Sequence, residues 1–258
     1  MRLAIANQKG GVGKTTTAVN LAAALGAAGW RVLAIDLDPQ GNASTGLGVS
    51  RHARAVSAYD VLLGNATIAE AAVKTVADGV WLVPATVDLS GAEIDLIGFE
   101  DRPFRLRSAL AEAHDYDIVL IDCPPSLGLL TVNAMAAADG LFVPLQAEFF
   151  ALEGLSQLVK TLERVRSSAN PRLQLMGIVL TMFDKRNRLC EMVANDVRDH
   201  FGDTVFNTVI PRNVRLSEAP SHGLPALMYD PRAAGSEAYV ELAREMMARF
   251  PVSQKAAA

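Results

Sequence analysis

Residues 8–16 read Gln-Lys-Gly-Gly-Val-Gly-Lys-Thr-Thr. Glycines at this spacing let a backbone curl so that successive N–H groups point at phosphate oxygens. Gly10, Gly11, Val12 and Gly13 would form that cradle. Lys14 would bring a point charge to the β and γ phosphates, and the Thr15 hydroxyl is placed to ligate Mg²⁺. Thr16 follows, within reach of an α-phosphate. The usual pattern GxxxxGK[ST] asks for glycine at position 8, where this chain has Gln8. The strict motif fails there, yet KGGVGKT between a strand and a helix stays far more specific than an incidental glycine-rich turn.

Two sets of acids follow apolar runs. Asp122 ends Ile118–Ile121, where the metal-fixing carboxylate of a nucleotide hydrolase belongs. The alternative is a turn residue ahead of Pro124-Pro125. Asp36 and Asp38 follow a second apolar run, in Asp-Leu-Asp-Pro-Gln-Gly-Asn. Period-two alternation puts both on one side if the strand extends that far. One would support Mg²⁺ and the other orient an attacking water, whereas Asp-Pro and Gln-Gly also favour plain turns.

Such a site needs a scaffold that gathers loops at one edge. Strand-like runs at 3–7, 31–36, 80–84, 117–122, 140–145, 175–181 and 205–210 alternate with helix-like runs. The latter lie at 14–28, 57–63, 68–73, 104–114, 129–137, 152–167, 189–201 and 236–250. Alternation of this kind predicts an α/β fold, a doubly wound, mostly parallel sheet flanked by helices. Ligands then sit at the carboxyl ends of the strands. Residues 88–98 read as a short helix capped by Ser90. Residues 211–231, with four prolines, read as a long ordered loop with one helical turn, and such loops are usually functional. No repeat or low-complexity linker divides the chain, so one domain over residues 1–258 is expected.

Half of the 258 residues are apolar, enough for one sizeable core. Cys123 and Cys190 belong to no CxxC pair, and the four histidines (His52, His114, His200, His222) are scattered. A disulfide framework or zinc site is therefore not expected, and a reducing, cytoplasmic setting fits. No apolar stretch reaches the roughly 20 residues of a membrane span. The polar, alanine-rich residues 251–258 carry no basic amphipathic pattern of a membrane anchor. The net charge is −4, which argues against nucleic acid. Yet residues 158–215 hold 10 of the 24 Lys and Arg and only 6 of the 28 Asp and Glu, so a local basic face is available.

With these motifs placed, the chain resembles the ParA/Soj family of chromosome-partitioning ATPases, within the ParA/MinD group that carries a deviant Walker A loop. ANQKGGVGKTTTAVNLAAAL, DLDPQGNASTGLG and IVLIDCPPSLGLLTVNA match the wider group. VPLQAEFFALEGL and VIPRNVRLSEAPSHGLP resemble the chromosomal Soj branch. The resemblance covers nearly the whole chain. It implies a P-loop NTPase fold, ATP and Mg²⁺ as ligands, and slow hydrolysis stimulated by a partner.

Residue by residue, the resemblance makes Lys9 the signature lysine, reaching across a nucleotide-sandwich homodimer to the partner's phosphates. Lys14 and Thr15 keep their phosphate and Mg²⁺ roles. Asp38 would position the hydrolytic water, Asp36 would support the metal shell, and Asp122 would be the Walker B acid. Glu148 matches a residue that contacts the partner's nucleotide. Pro211, Arg212 and Asn213 match the loop packed around adenine, with Met182 on its other face. Arg186 and Arg215 match DNA-contacting arginines, and Lys185, Arg188 and Lys160 are weaker candidates. The resemblance further implies sequence-independent DNA binding, nucleoid association and a ParB-like partner. There is no helix-turn-helix extension, CxxC or MinD-like membrane helix, so operator repression, an iron–sulfur scaffold and membrane binding are not expected. Two other readings share the loop and sheet, a positioning ATPase for a non-DNA cargo and a metabolic synthetase or kinase.

Overall fold

The computed structural model describes residues 1–251, and the reading of the C-terminal tail falls on residues 252–258, outside the described residues. The apolar runs become β1 (Arg2–Ile5), β2 (Val32–Asp36), β3 (Val73–Lys74), β4 (Val80–Val83), β5 (Ile118–Asp122), β6 (Gly140–Gln146), β7 (Gln174–Phe183) and β8 (Val205–Pro211). Among the described residues they form one sheet in the order β3-β4-β2-β5-β1-β6-β7-β8. Every pairing is parallel except that of the short edge strand β3 with β4. Parallel neighbours put all their carboxyl ends on one edge. From β1 the chain first winds to the β2 side and later returns through β5 to the β6 side. The loop after β1 thus sits where the winding reverses, the place at which open α/β sheets bind ligands.

Twelve α-helices cover the sheet among the described residues. They are α1 (Lys14–Ala27), α2 (Asn42–Gly46), α3 (Ala58–Leu63), α4 (Ile68–Ala71), α5 (Leu89–Asp95), α6 (Arg105–Leu110), α7 (Leu129–Ala137), α8 (Ala151–Ser168), α9 (Arg188–Phe201), α10 (Val214–Glu218), α11 (Ala226–Tyr229) and α12 (Ala234–Arg249). Strand residues alternate between two cores, as a pleated strand must. Ala4, Leu33, Ile35, Val119 and Ile121 point into the layer with α3 and α5–α9. Leu3, Ile5, Val32, Ala34, Ile118 and Leu120 point into the layer with α1 and α12. On α8 the buried residues Ala151, Leu155, Leu158, Leu162 and Val165 recur every three or four positions, one helical stripe. On α1 nearly every residue is buried, which is why small alanines fill it.

Several boundaries differ from the sequence reading. Val73 begins β3 rather than ending a helix, and the predicted helix 104–114 stops at Leu110. Ser90 lies inside α5, with Asp88 at the N-cap. Residues 211–231 are mostly helical turns, not one long loop. The Asn213 side chain caps α10 by accepting from the Arg215 N–H, and the Ala226 N–H of α11 donates to Asn20 of α1 at 2.7 Å. Short polar caps and a tertiary anchor thus overrode the proline content.

The packing of α1 yields a stability prediction. A Cβ added at Gly26 would fall 2.3 Å from the backbone oxygen of Asp78 and 2.8 Å from Val80. Alanine in a helix interior normally gains about 1 kcal/mol over glycine. Here overpacking against backbone should dominate, at about 1–3 kcal/mol. Gly26→Ala is expected to lower the thermal midpoint, and an unchanged or raised midpoint would contradict this packing.

Candidate nucleotide site

The loop 8–13 is held from both sides. Asn7 donates to the Pro144 oxygen at 2.8 Å and accepts from the Lys9 N–H. Thr181 on β7 donates to the Val12 oxygen at 2.8 Å. Gly11 and Gly13 have φ of 76° and 89°, where other residues are strained. No side chain caps the N-terminus of the 14-residue α1, and Gly13 stands at its cap. The curled backbone and the positive helix end therefore face an anion-sized opening. Nothing lies within 4 Å of the Cβ positions of Gly10 or Gly11. Lys14 is only 7% exposed. Its ammonium donates to the Lys9 oxygen at 3.0 Å. Burial pulls its pKa down, while Asp122 and Asp38 push it up.

Asp36 and Asp122 are register partners across β2 and β5, and both are fully buried. Asp36 accepts from the Ser44 N–H at 2.8 Å, the Ser44 hydroxyl at 2.7 Å and the Asp38 N–H at 3.1 Å. Burial nevertheless pushes its pKa up to about 6 against these hydrogen bonds. Neither carboxylate oxygen of Asp122 has a hydrogen-bond partner of normal geometry among the described residues. Burial and then the neighbouring Asp36 drive its pKa well up, and Thr15 and Lys14 oppose this. An orphaned buried carboxylate beside a second one is the donor set of a hard divalent cation. The residues fit Mg²⁺, with Asp122 and Thr15 at the front. Asp36 is already committed to Ser44, so toward such a cation it would act through charge and structure rather than as a free ligand. Asp38 lies past the end of β2, half-buried, its carboxylate accepting from the Gln40 N–H at 3.0 Å.

A cavity of about 460 Å³ opens beside the loop. It joins Gly13, Thr15 and Thr16 to Met182, Pro211, Arg212 and Asn213, which come from the ends of β7 and β8. Met182 has φ 50°, the one non-glycine residue with positive φ among the described residues. Such strain gathers at ligand sites, and no sequence signal announces it. Asn20, Thr45 and Thr181 also line this cavity; the first two fall inside the stretches that carry the resemblance but were given no role, and Thr181 falls in none of them.

Lys9 and Glu148 do not enter the cavity. They form an ion pair with each other. Phe149 and Phe150 beside them are exposed, ring against ring at 5.0 Å. The DNA candidates cluster at the ends of β7 and β8, joined where the Arg212 N–H donates to the Phe183 oxygen. Arg186 forks onto Asp184 through two 3.0 Å hydrogen bonds that hold the carboxyl down at about 2. Arg215 pairs with Glu218 at 2.7 Å and Asp230 at 3.2 Å. Lys185 and Arg188 are exposed and form no ion pair among the described residues. Lys160 lies elsewhere, in a groove with Gln8 and Arg164.

Residues 1–175 match the AAA domain family model AAA_31. The chain is 63% identical over 250 residues to the chromosome partitioning protein ParA of Caulobacter vibrioides, covering 96% of this chain and 94% of that one. It is 50% identical to the sporulation initiation inhibitor protein Soj of Bacillus subtilis, with 95% and 98% covered. Among solved structures, the cobyrinic acid a,c-diamide synthase of Mycobacterium smegmatis with bound ATP analogue and magnesium superposes at TM-score 0.82. Its identity is 41%, covering 95% and 93%. The septum site-determining protein MinD of Pyrococcus horikoshii, with Mg-ADP, gives 0.77 at 29% identity, covering 94% of each chain.

Proposed function

The chain belongs to the ParA/Soj family of chromosome-partitioning ATPases, and on that premise we propose that it is an ATP-dependent dimerising switch that grips DNA without sequence preference. The observation that carries this is the gathering of the glycine loop, Lys14, Asp38 and the Asp36–Asp122 pair at the strand ends, with the basic β7 and β8 loops on the same edge. On this reading the switch is a single domain over residues 1–258.

Bound Mg²⁺ supplies charge neutralisation at the phosphates. The chain's own groups do the rest. Loop N–H groups and Lys14 hold the β and γ phosphates, and Met182, Pro211, Arg212 and Asn213 enclose the base. Asp38 orients the attacking water. Lys9 reaches the phosphates of a second copy, for which it must leave Glu148, and Glu148 in turn contacts the partner's nucleotide. Loss of the γ-phosphate removes these contacts and opens the dimer, a known mode of switching. A ParB-like protein stimulates this step, and the switch works in the cytoplasm on the nucleoid.

Arg186, Arg215, Lys185 and Arg188 form the DNA face. The two arginines are exposed and paired only by surface ion pairs, which are weak and yield to a phosphate. Binding by summed phosphate contacts falls steeply with salt. Arg186→Glu and Arg215→Glu are each expected to weaken DNA binding at least ~10-fold and to flatten its salt dependence by about one unit per lost contact. ATP-dependent dimerisation should remain. Titration of unrelated duplexes at several salt concentrations checks this, and unchanged affinity in both variants would remove the DNA face from these loops.

One observation favours a second reading, the likeness to a chain named as an amide-forming synthetase. Identity to the partitioning protein is higher over nearly the same span. ATP consumption that required a carboxylic acid and an amide donor would support the synthetase.

A further inference from the structure

Arg54 lies outside every motif, after a short turn between α2 and α3, and is 8% exposed. Among the described residues no carboxylate comes within ion-pair distance of it. Its guanidinium makes five hydrogen bonds to neutral acceptors. Nε donates to the Val49 oxygen at 3.1 Å, and Nη2 to the same oxygen at 2.8 Å. Nη2 also donates to the Thr45 hydroxyl at 2.9 Å, and Nη1 to the oxygens of Gly41 at 3.3 Å and Ala85 at 3.4 Å. Asp36 favours the charged guanidinium through space, but with no direct ion pair, and burial outweighs it; a purely packing role is poorly served by this choice. Four of the five bonds go to residues 41–49, the segment that begins at the Asp38 turn.

The turn is tied at both ends. Upstream, the Asp38 N–H donates to Asp36, which Ser44 also holds. Downstream, the Gly41 N–H donates to the Asp38 oxygen at 2.9 Å, and the Gly41 oxygen is held by Arg54. Ala85, after β4, closes the circuit by giving its N–H to the Ser44 hydroxyl and its oxygen to Arg54.

We propose that Arg54 is a positioning residue for hydrolysis, a buried clamp that fixes the 38–41 turn and thereby the direction of the Asp38 carboxylate. This rests on the reading of Asp38 as the group that orients water.

The test compares Arg54→Lys and Thr45→Val in the full chain, each alone and with Asp38→Ala. Lysine keeps the charge but not the five-donor fork. Thr45→Val leaves the arginine in place but removes one of its acceptors together with the Thr45 hydroxyl's own 3.1 Å hydrogen bond to the Gly41 oxygen. Misplacement of a catalytic group by about 1 Å can cost ~100-fold. Arg54→Lys is therefore expected to lower kcat at least ~10-fold, with KM for ATP within about 3-fold and the ATP-dependent dimer retained. Thr45→Val should lower kcat about 2–5-fold by the same route. Neither should add to the loss in Asp38→Ala, since residues acting as a unit are not additive. Wild-type kcat in both single variants would overturn the clamp. So would loss of nucleotide affinity and dimer in step with turnover, which is what a merely structural arginine gives. If Arg54→Lys does not fold, Arg54→Gln, which keeps a two-donor amide without the charge, takes its place and the same outcomes decide. If Asp38→Ala keeps its turnover, the Asp38 reading fails by itself. A loss in Arg54→Lys would then refute action through Asp38.

Discussion

Asp38→Ala should lower ATP turnover by about 10²-fold or more, the usual scale for a residue handling the proton or water of the reacting step, while leaving ATP binding intact. The structure separates these two consequences. Asp38 stands past the end of β2, half-buried, and among the described residues its carboxylate accepts only from the Gln40 N–H of its own turn. It does not line the base cavity or form the glycine loop. Its removal therefore spares the groups that hold phosphate and base. The ATP-bound dimer should accumulate and stay on DNA, because the step that opens it has been slowed. Single-turnover hydrolysis together with sizing chromatography in ATP reads both effects. Turnover within about 3-fold of wild type would move the water-orienting role to another group.

Lys14→Ala should act earlier, at binding itself. The ammonium is buried and, within the chain, meets the oxygen of Lys9. A cation kept at that desolvation cost is set to exchange a neutral acceptor for a charged one. Hydrogen bonds to charged groups contribute about 1.5–3 kcal/mol each. Contacts to two phosphates then correspond to a loss of roughly 100-fold or more in ATP affinity. Dimerisation and DNA binding should disappear with it at ordinary ATP concentrations. Calorimetric or fluorescent nucleotide titration gives the affinity. Near-normal affinity would mean that the backbone N–H groups and α1 terminus hold the phosphates unaided. Comparison with Lys9→Ala adds a contrast. Lys9 is exposed and tied to Glu148, so its loss should spare binding of the nucleotide to one chain but not closure of two.

The phosphate loop and the mostly parallel sheet were legible because each rests on local chemistry. Glycines at 10, 11 and 13 dictate the curl, apolar runs dictate buried strands, and Asp122 ends its strand in line with Asp36. What stayed hidden depends on contacts distant in sequence. Thr181 anchors a loop 169 residues away, and the Tyr239 hydroxyl pairs with Thr17 across 222 residues. The four prolines of residues 211–231 favour a loop by local chemistry, whereas α10 and α11 are fixed by Asn213 and by Asn20 on α1. Met182 gave no sign of its strained backbone. Ser44 and Arg54 are ordinary surface types by composition, and only the fold shows them buried around the Asp36–Asp38 turn.

The central claim is that the nucleotide state governs the grip on DNA. The most direct measurement is the affinity of the wild-type chain for unrelated duplexes with ATP, with ADP and with no nucleotide, at two salt concentrations. The account predicts binding that needs ATP, ignores sequence and falls about 10-fold or more as salt is raised from 50 to 200 mM, the behaviour of summed phosphate contacts. Equal binding with ATP and ADP, or binding indifferent to salt, would contradict it.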